Sequence, residues 1–252
     1  MKSIDVHCYY GKWGFPIWDM SIKDIQEYMH ACEIEASIMM SALSISYDFV
    51  AGNAEIAELV DSNPNLYGYV YVNMHYPEES VKEVKKYLGS DKFLGIKYNG
   101  EYSQSPVSAD SNDIIFELVE KEYGKPLLLH TWGVPEHGNA MAYSLPSQAL
   151  KLARKFPKMD IVMGHMGGPS WMSAIEAAMQ EENLFLDTCS SYVDRDKVRV
   201  AVDMLGADRI MFGSGMTENN PFGQKRVIMD AEISESDKKK ILYENACSVF
   251  KI

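Results

Sequence analysis

The sequence predicts an α/β fold, a single-domain (β/α)8 TIM barrel spanning residues 1–252. Three observations carry that expectation. Short apolar runs alternate with amphipathic stretches along the whole chain, eight of each. The runs are apolar on both faces, as parallel strands buried on both sides are. No Ser/Pro/Gly-rich linker divides the chain, so the alternation reads as one unit. A doubly wound open sheet shares the alternation, but no GxGxxG follows an early strand, so its dinucleotide fingerprint is missing.

The expected strands are Ser3–Cys8, Ala36–Ala42, Leu66–Asn73, Phe93–Tyr98, Pro126–His130, Asp160–His165, Leu184–Asp187 and Arg209–Ser214. Ser21 with Asp24 three residues later reads as an N-cap opening a helix over Ile22–Cys32. Further helices are expected over Ala54–Asp61, Glu78–Leu88, Asn112–Glu122, Pro146–Phe156, Ser170–Met179, Asp196–Leu205 and Glu235–Phe250, each with apolar residues at three- and four-residue spacing. Asn63-Pro64, Gly124-Lys125-Pro126, Phe156-Pro157 and Gly206-Ala207 end helices and restart strands.

A net charge of −12, from 24 basic and 36 acidic residues, argues against binding a nucleic-acid backbone, and no basic stripe offsets it. The four cysteines, Cys8, Cys32, Cys189 and Cys247, show no CxxC spacing and suggest no disulfide framework. No apolar stretch approaches the roughly 20 residues of a membrane span, and nothing resembles a signal peptide. These features lead to the expectation of a cytoplasmic protein whose partner is a small-molecule substrate, with no nucleic acid and no membrane. Association into a homo-oligomer stays open.

His7, His130 and His165 each close an apolar run, so a barrel would bring three imidazoles to the mouth formed by its strand C-termini. Alternation places Asp5, His7 and Tyr9 on one face of the first strand, with Asp5 one layer beneath His7 as a carboxylate that would orient the ring. Lys97 closes the fourth strand. It could hold a substrate carboxylate, be carbamylated to bridge two metals, or form a structural ion pair with Asp187. Two long connections, Tyr9–Met20 and Thr131–Leu145, follow strand C-termini and carry Trp13, Trp18, Trp132 and His137, which suggests a lid over a planar or apolar ligand. Tyr9, Trp13, Tyr98 and Trp132 are the expected substrate-lining residues, with Trp171 adding to the aromatic set.

Four segments in order, Ile4-Asp5-Val6-His7, Leu129-His130, Gly164-His165-Met166-Gly167-Gly168 and Phe212-Gly213-Ser214, together with the closing Tyr243–Phe250, resemble the amidohydrolase superfamily. The resemblance is specifically to the amidohydrolase-related branch that includes ACMSD-like decarboxylases. It implies a metal at the mouth, usually zinc, held by His-x-His on strand one, His on strand five and Asp after Gly-Ser on strand eight. His7 and His130 match, and His165 matches the strand-six residue that positions water or substrate. Tyr9 replaces the second histidine and Gly215 replaces the aspartate.

Three readings follow. In the first, an amidohydrolase-like hydrolase of a small ring-containing or carboxylated substrate keeps one divalent metal, zinc, on His7, His130 and His165, with Glu218 as substitute base. In the second, a metal-free lactonase or decarboxylase uses Lys97 and the histidines to polarise a carbonyl, with His165 or Tyr9 handling protons. In the third, the barrel binds a ligand without catalysis.

Overall fold

The computed structural model describes residues 1–17, 19–132, 143–189 and 196–252. Eight strands lie in one sheet in sequence order: β1 (Ser3–Tyr10), β2 (Ile34–Ser41), β3 (Leu66–Tyr71), β4 (Phe93–Tyr98), β5 (Leu127–Leu129), β6 (Ile161–Met163), β7 (Leu184–Asp187) and β8 (Ile210–Met211). All seven ladders between sequence neighbours are parallel. Backbone bonds from Val6 N to Phe212 O, from Gly215 N to His7 O and from Tyr9 N to Met216 O join the first strand to the last segment. The sheet therefore curls into the (β/α)8 barrel expected from the sequence, and the open doubly wound alternative is excluded.

Helices cover the outside. Ser21 caps Ile22–Ala31 with a reciprocal capping box to Asp24. The helix expected over Ala54–Asp61 begins five residues earlier, at Phe49, because the Asp48 carboxylate accepts from Val50 N and Ala51 N. Pro221–Met229 is helical although its apolar spacing is weak; Asn220 caps it and Pro221 occupies its first turn. The apolar residues divide into two layers. Ile38, Met40, Tyr69, Tyr71, Leu128, Val162 and Met211 fill the barrel, and Met39, Val70, Ile96, Leu129, Met163 and Phe212 pack under the helices.

Close packing makes small residues obligatory between strands. A Cβ on Gly95 would lie 2.5 Å from the Pro126 carbonyl oxygen. Gly95→Ala is therefore expected to cost about 1–3 kcal/mol through backbone displacement, read as a lower urea midpoint at unchanged m-value.

The first strand departs from simple alternation. Its register against β2 shifts between Asp5 and Cys8, and the shift turns Asp5 away from the mouth. Asp5 Oδ1 accepts from Ser214 N at 2.9 Å and His7 N at 3.2 Å, and the carboxyl lies beside Cys8 and within electrostatic reach of Cys32 and Lys225 in the helical layer. The expected Asp5 beneath His7 is thus corrected: an irregularity in the strand reverses the parity between them.

Candidate active site

The mouth is built outward from His7, which is fully buried. Its partner is Asp187 at the end of β7: Nδ1 donates to Oδ2 at 2.7 Å. That bond fixes the tautomer, so Nε2 is the acceptor. Tyr9 O–H donates to Nε2 at 2.9 Å, and the Lys97 ammonium approaches the same nitrogen at 3.5 Å. Burial and the Lys97 charge lower the basicity of His7. The other Asp187 oxygen accepts from His165 N and Cys189 N, both at 2.9 Å. Asp187→Ala would strand three buried donors, so a loss of about 3 kcal/mol or more is expected, measured by chemical denaturation.

A second cluster centres on His165. The chain leaves β6 through residues of positive φ, His165 at 59° and Met166 at 48° followed by Gly167 and Gly168, before the helix Trp171–Ala178. This turn folds the imidazole into the mouth. A Cβ on Gly168 would sit 2.7 Å from the Trp132 ring, so glycine lets the backbone lie against that indole. His165 Nε2 meets His130 Nδ1 at 3.0 Å, and Cys189 Sγ lies 3.3 Å from His165 Nδ1. Burial and nearby cations push both imidazoles well down, and burial pushes the Cys189 thiol well up. The three groups are neutral at ordinary pH.

Lys97 and Glu218 supply the charge. Lys97 is fully buried, and burial lowers its pKa to about 8 against the opposing pull of Asp187, Cys189 and Glu218. No carboxylate lies within 4 Å of its ammonium among the described residues. The expected Asp187 ion pair is therefore replaced by contact with His7. Glu218, partly buried in the turn after β8, is raised to about 7 by burial, with Lys97 pulling the other way. Tyr9 and Tyr102 also lie within reach of the Glu218 charge.

Aromatic residues form the wall. Tyr9 and Trp13 meet edge to face at 5.1 Å, Phe15 stacks on Trp13, and Trp132 stands edge-on to His165 at 5.3 Å. Trp13 Nε1 is buried and has no acceptor among the described residues. Tyr98 does not line the mouth: it follows Lys97 on β4, so alternation turns it outward, where its hydroxyl donates to Ser105 O at 2.6 Å. Trp171 likewise packs against the helical layer. Trp18 and His137 lie outside the described residues.

Sequence reasoning named His7, Lys97, His130, His165, Tyr9, Trp13 and Trp132, which the structure brings together, and Glu218, whose charge reaches Lys97. It missed Asp187 as the partner of His7, although an acid closing the apolar run Leu184-Phe185-Leu186 was a visible signal. It also did not foresee the contact of Cys189 with His165, which spans 24 residues.

The amidohydrolase family model matches residues 46–252. The chain belongs to the amidohydrolase family. Among its relatives, a gamma-resorcylate decarboxylase of Polaromonas sp. (strain JS666) is 22% identical over 250 residues, covering 79% of this chain and 75% of that protein. In solved structures the same barrel recurs. The 2,6-dihydroxybenzoate decarboxylase from Rhizobium matches with a TM-score of 0.80 at 18% identity, over 99% of this chain and 98% of that one. A dihydroxybenzoic acid decarboxylase from Polaromonas sp. JS666, with bound manganese and the inhibitor 2-nitroresorcinol, matches with a TM-score of 0.79 at 19% identity, over 99% and 97%.

One cluster of metal-ligand types exists among the described residues. His7, His165 and Cys189 each offer a donor atom within 4.8 Å of the others. His130, expected as the third ligand, instead meets His165 through the nitrogen opposite Cys189. Nitrogen and sulfur donors suit zinc better than manganese, which favours oxygen. Even so, the set does not fit a resident divalent ion as it stands: His7 Nε2 is already engaged by Tyr9 and faces the Lys97 ammonium.

Proposed function

We propose that this barrel decarboxylates a small hydroxy-substituted aromatic acid. The observation that carries the reading is the pairing, around one aromatic-walled mouth, of a buried ammonium, Lys97, with a carboxyl, Glu218, held up to about 7. A cation inside the mouth can take an anionic substrate, and a carboxyl that stays partly protonated at neutral pH can give a proton. The decarboxylases among the relatives support the same reaction type.

The ring would lie against Trp13, Tyr9 and Trp132, with its anionic oxygens toward Lys97. A hydroxyl ortho or para to the carboxylate makes the carboxylate-bearing carbon electron-rich. Glu218 transfers its proton to that carbon. The carbon–carboxylate bond then breaks, its electron pair returns to the ring, and CO2 leaves. Water returns a proton to the Glu218 carboxylate. His7, locked by Asp187, and the neutral His130–His165 pair hold the surrounding oxygens in place without competing as acids.

This reading is favoured over hydrolysis, the first expectation from the sequence. Gly215 presents no carboxylate to take a proton from an attacking water, and a carboxyl raised to about 7 is suited to donating one. The test is CO2 release from a panel of mono- and dihydroxybenzoates, run beside lactones and amides. Turnover of a hydroxybenzoate with loss of its carboxyl supports the proposal; hydrolysis of a lactone or amide alone would replace it.

A further inference from the structure

We infer that the positive centre of this mouth is the Lys97 ammonium, and that its position against His7 Nε2 keeps divalent cations out of the His7–His165–Cys189 cluster. Three observations meet here. First, the only His7 nitrogen not held by Asp187 accepts from Tyr9 at 2.9 Å and faces Lys97 Nζ at 3.5 Å. An ion on that lone pair would displace Tyr9 and stand beside a buried like charge.

Second, the place for a strand-eight carboxylate is filled rather than merely vacant. Gly215 has a φ of 69°, and a Cβ there would lie 2.4 Å from Asn219 Nδ2 and 2.7 Å from Cys189 Sγ. No aspartate fits at that position without moving both neighbours. Third, the two fully buried aspartates near the cluster, Asp187 and Asp5, are turned to other groups. Asp187 uses one oxygen on His7 and the other on two backbone N–H groups, and Asp5 faces the helical layer. Lys97 itself has no carboxylate within 4 Å among the described residues, so its charge is directed at whatever anion enters.

The arrangement replaces an exchangeable cation with one fixed to the barrel wall. It rests on the decarboxylase reading only for the identity of the anion. The experiment uses the metals alone as probes. Chelator-treated wild-type protein, Lys97→Met and Lys97→Gln are titrated with ZnCl2 and MnCl2 by calorimetry, with circular dichroism confirming the fold of each. The expected result is saturable binding in at least one Lys97 variant that is tighter than in wild type by about tenfold or more, and its loss when His7→Ala is added. Equal behaviour of wild type and both variants, whether all bind or none does, overturns the inference. The readout needs no substrate, so it is independent of the decarboxylase reading, whose failure shows as absent CO2 release.

Discussion

Glu218→Gln is expected to lower kcat for decarboxylation by about 10²–10⁴-fold, the usual contribution of a positioned general acid. Gln keeps the shape and some hydrogen bonding but has no proton to give the ring carbon, so KM should change little. The pH profile supplies a second readout. Because burial raises Glu218 to about 7, the active protonated form is full below that value and is lost as pH rises through it. Lys97, lowered to about 8, loses its charge in the next unit. The wild-type rate should therefore fall across pH 7 to 8, and in the Gln variant the residual rate should lose the limb near 7. A variant with wild-type kcat would remove Glu218 from the mechanism.

Lys97→Met is expected to reduce kcat/KM by about 10²–10³-fold, comparable to deleting one preorganised charge-stabilising donor. The protein should not be destabilised. A lysine whose pKa is lowered by burial costs stability wherever it is charged in the unfolded chain, so replacing it with an apolar side chain of similar length relieves that cost at neutral pH. Activity lost alongside retained or raised stability marks a side chain placed for function. Lys97→Arg should not restore activity, because the planar guanidinium cannot occupy a cavity shaped around one ammonium. Loss of folding with Lys97→Met, measured by thermal melting, would instead assign Lys97 a structural part.

The barrel was legible because its signal is repetitive. Apolar runs alternating with amphipathic stretches recur along the chain, and the observed boundaries of Phe93–Tyr98 and Leu184–Asp187 coincide with those expected. Strand-end position also brought His7, His130, His165 and Lys97 to one mouth. What local pattern could not give was facing and partnership. The register shift in β1 turned Asp5 outward, and nothing in Ile4-Asp5-Val6-His7 announces a bulge. Asp187 and His7 are 180 residues apart in sequence, so their pairing depends on the closed topology. The exchange of a strand-eight carboxylate for Gly215 was visible, but its consequence was not, because Cys189 and Asn219 fill that space only in three dimensions.

The central claim is that the barrel replaces a carboxylate on a ring carbon with a proton. The most direct measurement is turnover of carboxyl-13C-labelled 2,6-dihydroxybenzoate in D2O, followed by NMR. The account predicts labelled CO2 together with resorcinol carrying deuterium at the carbon that held the carboxylate, at a rate that survives chelator treatment. An intact labelled carboxyl group in every hydroxybenzoate tested, beside hydrolysis of a lactone or amide by the same protein, would contradict it.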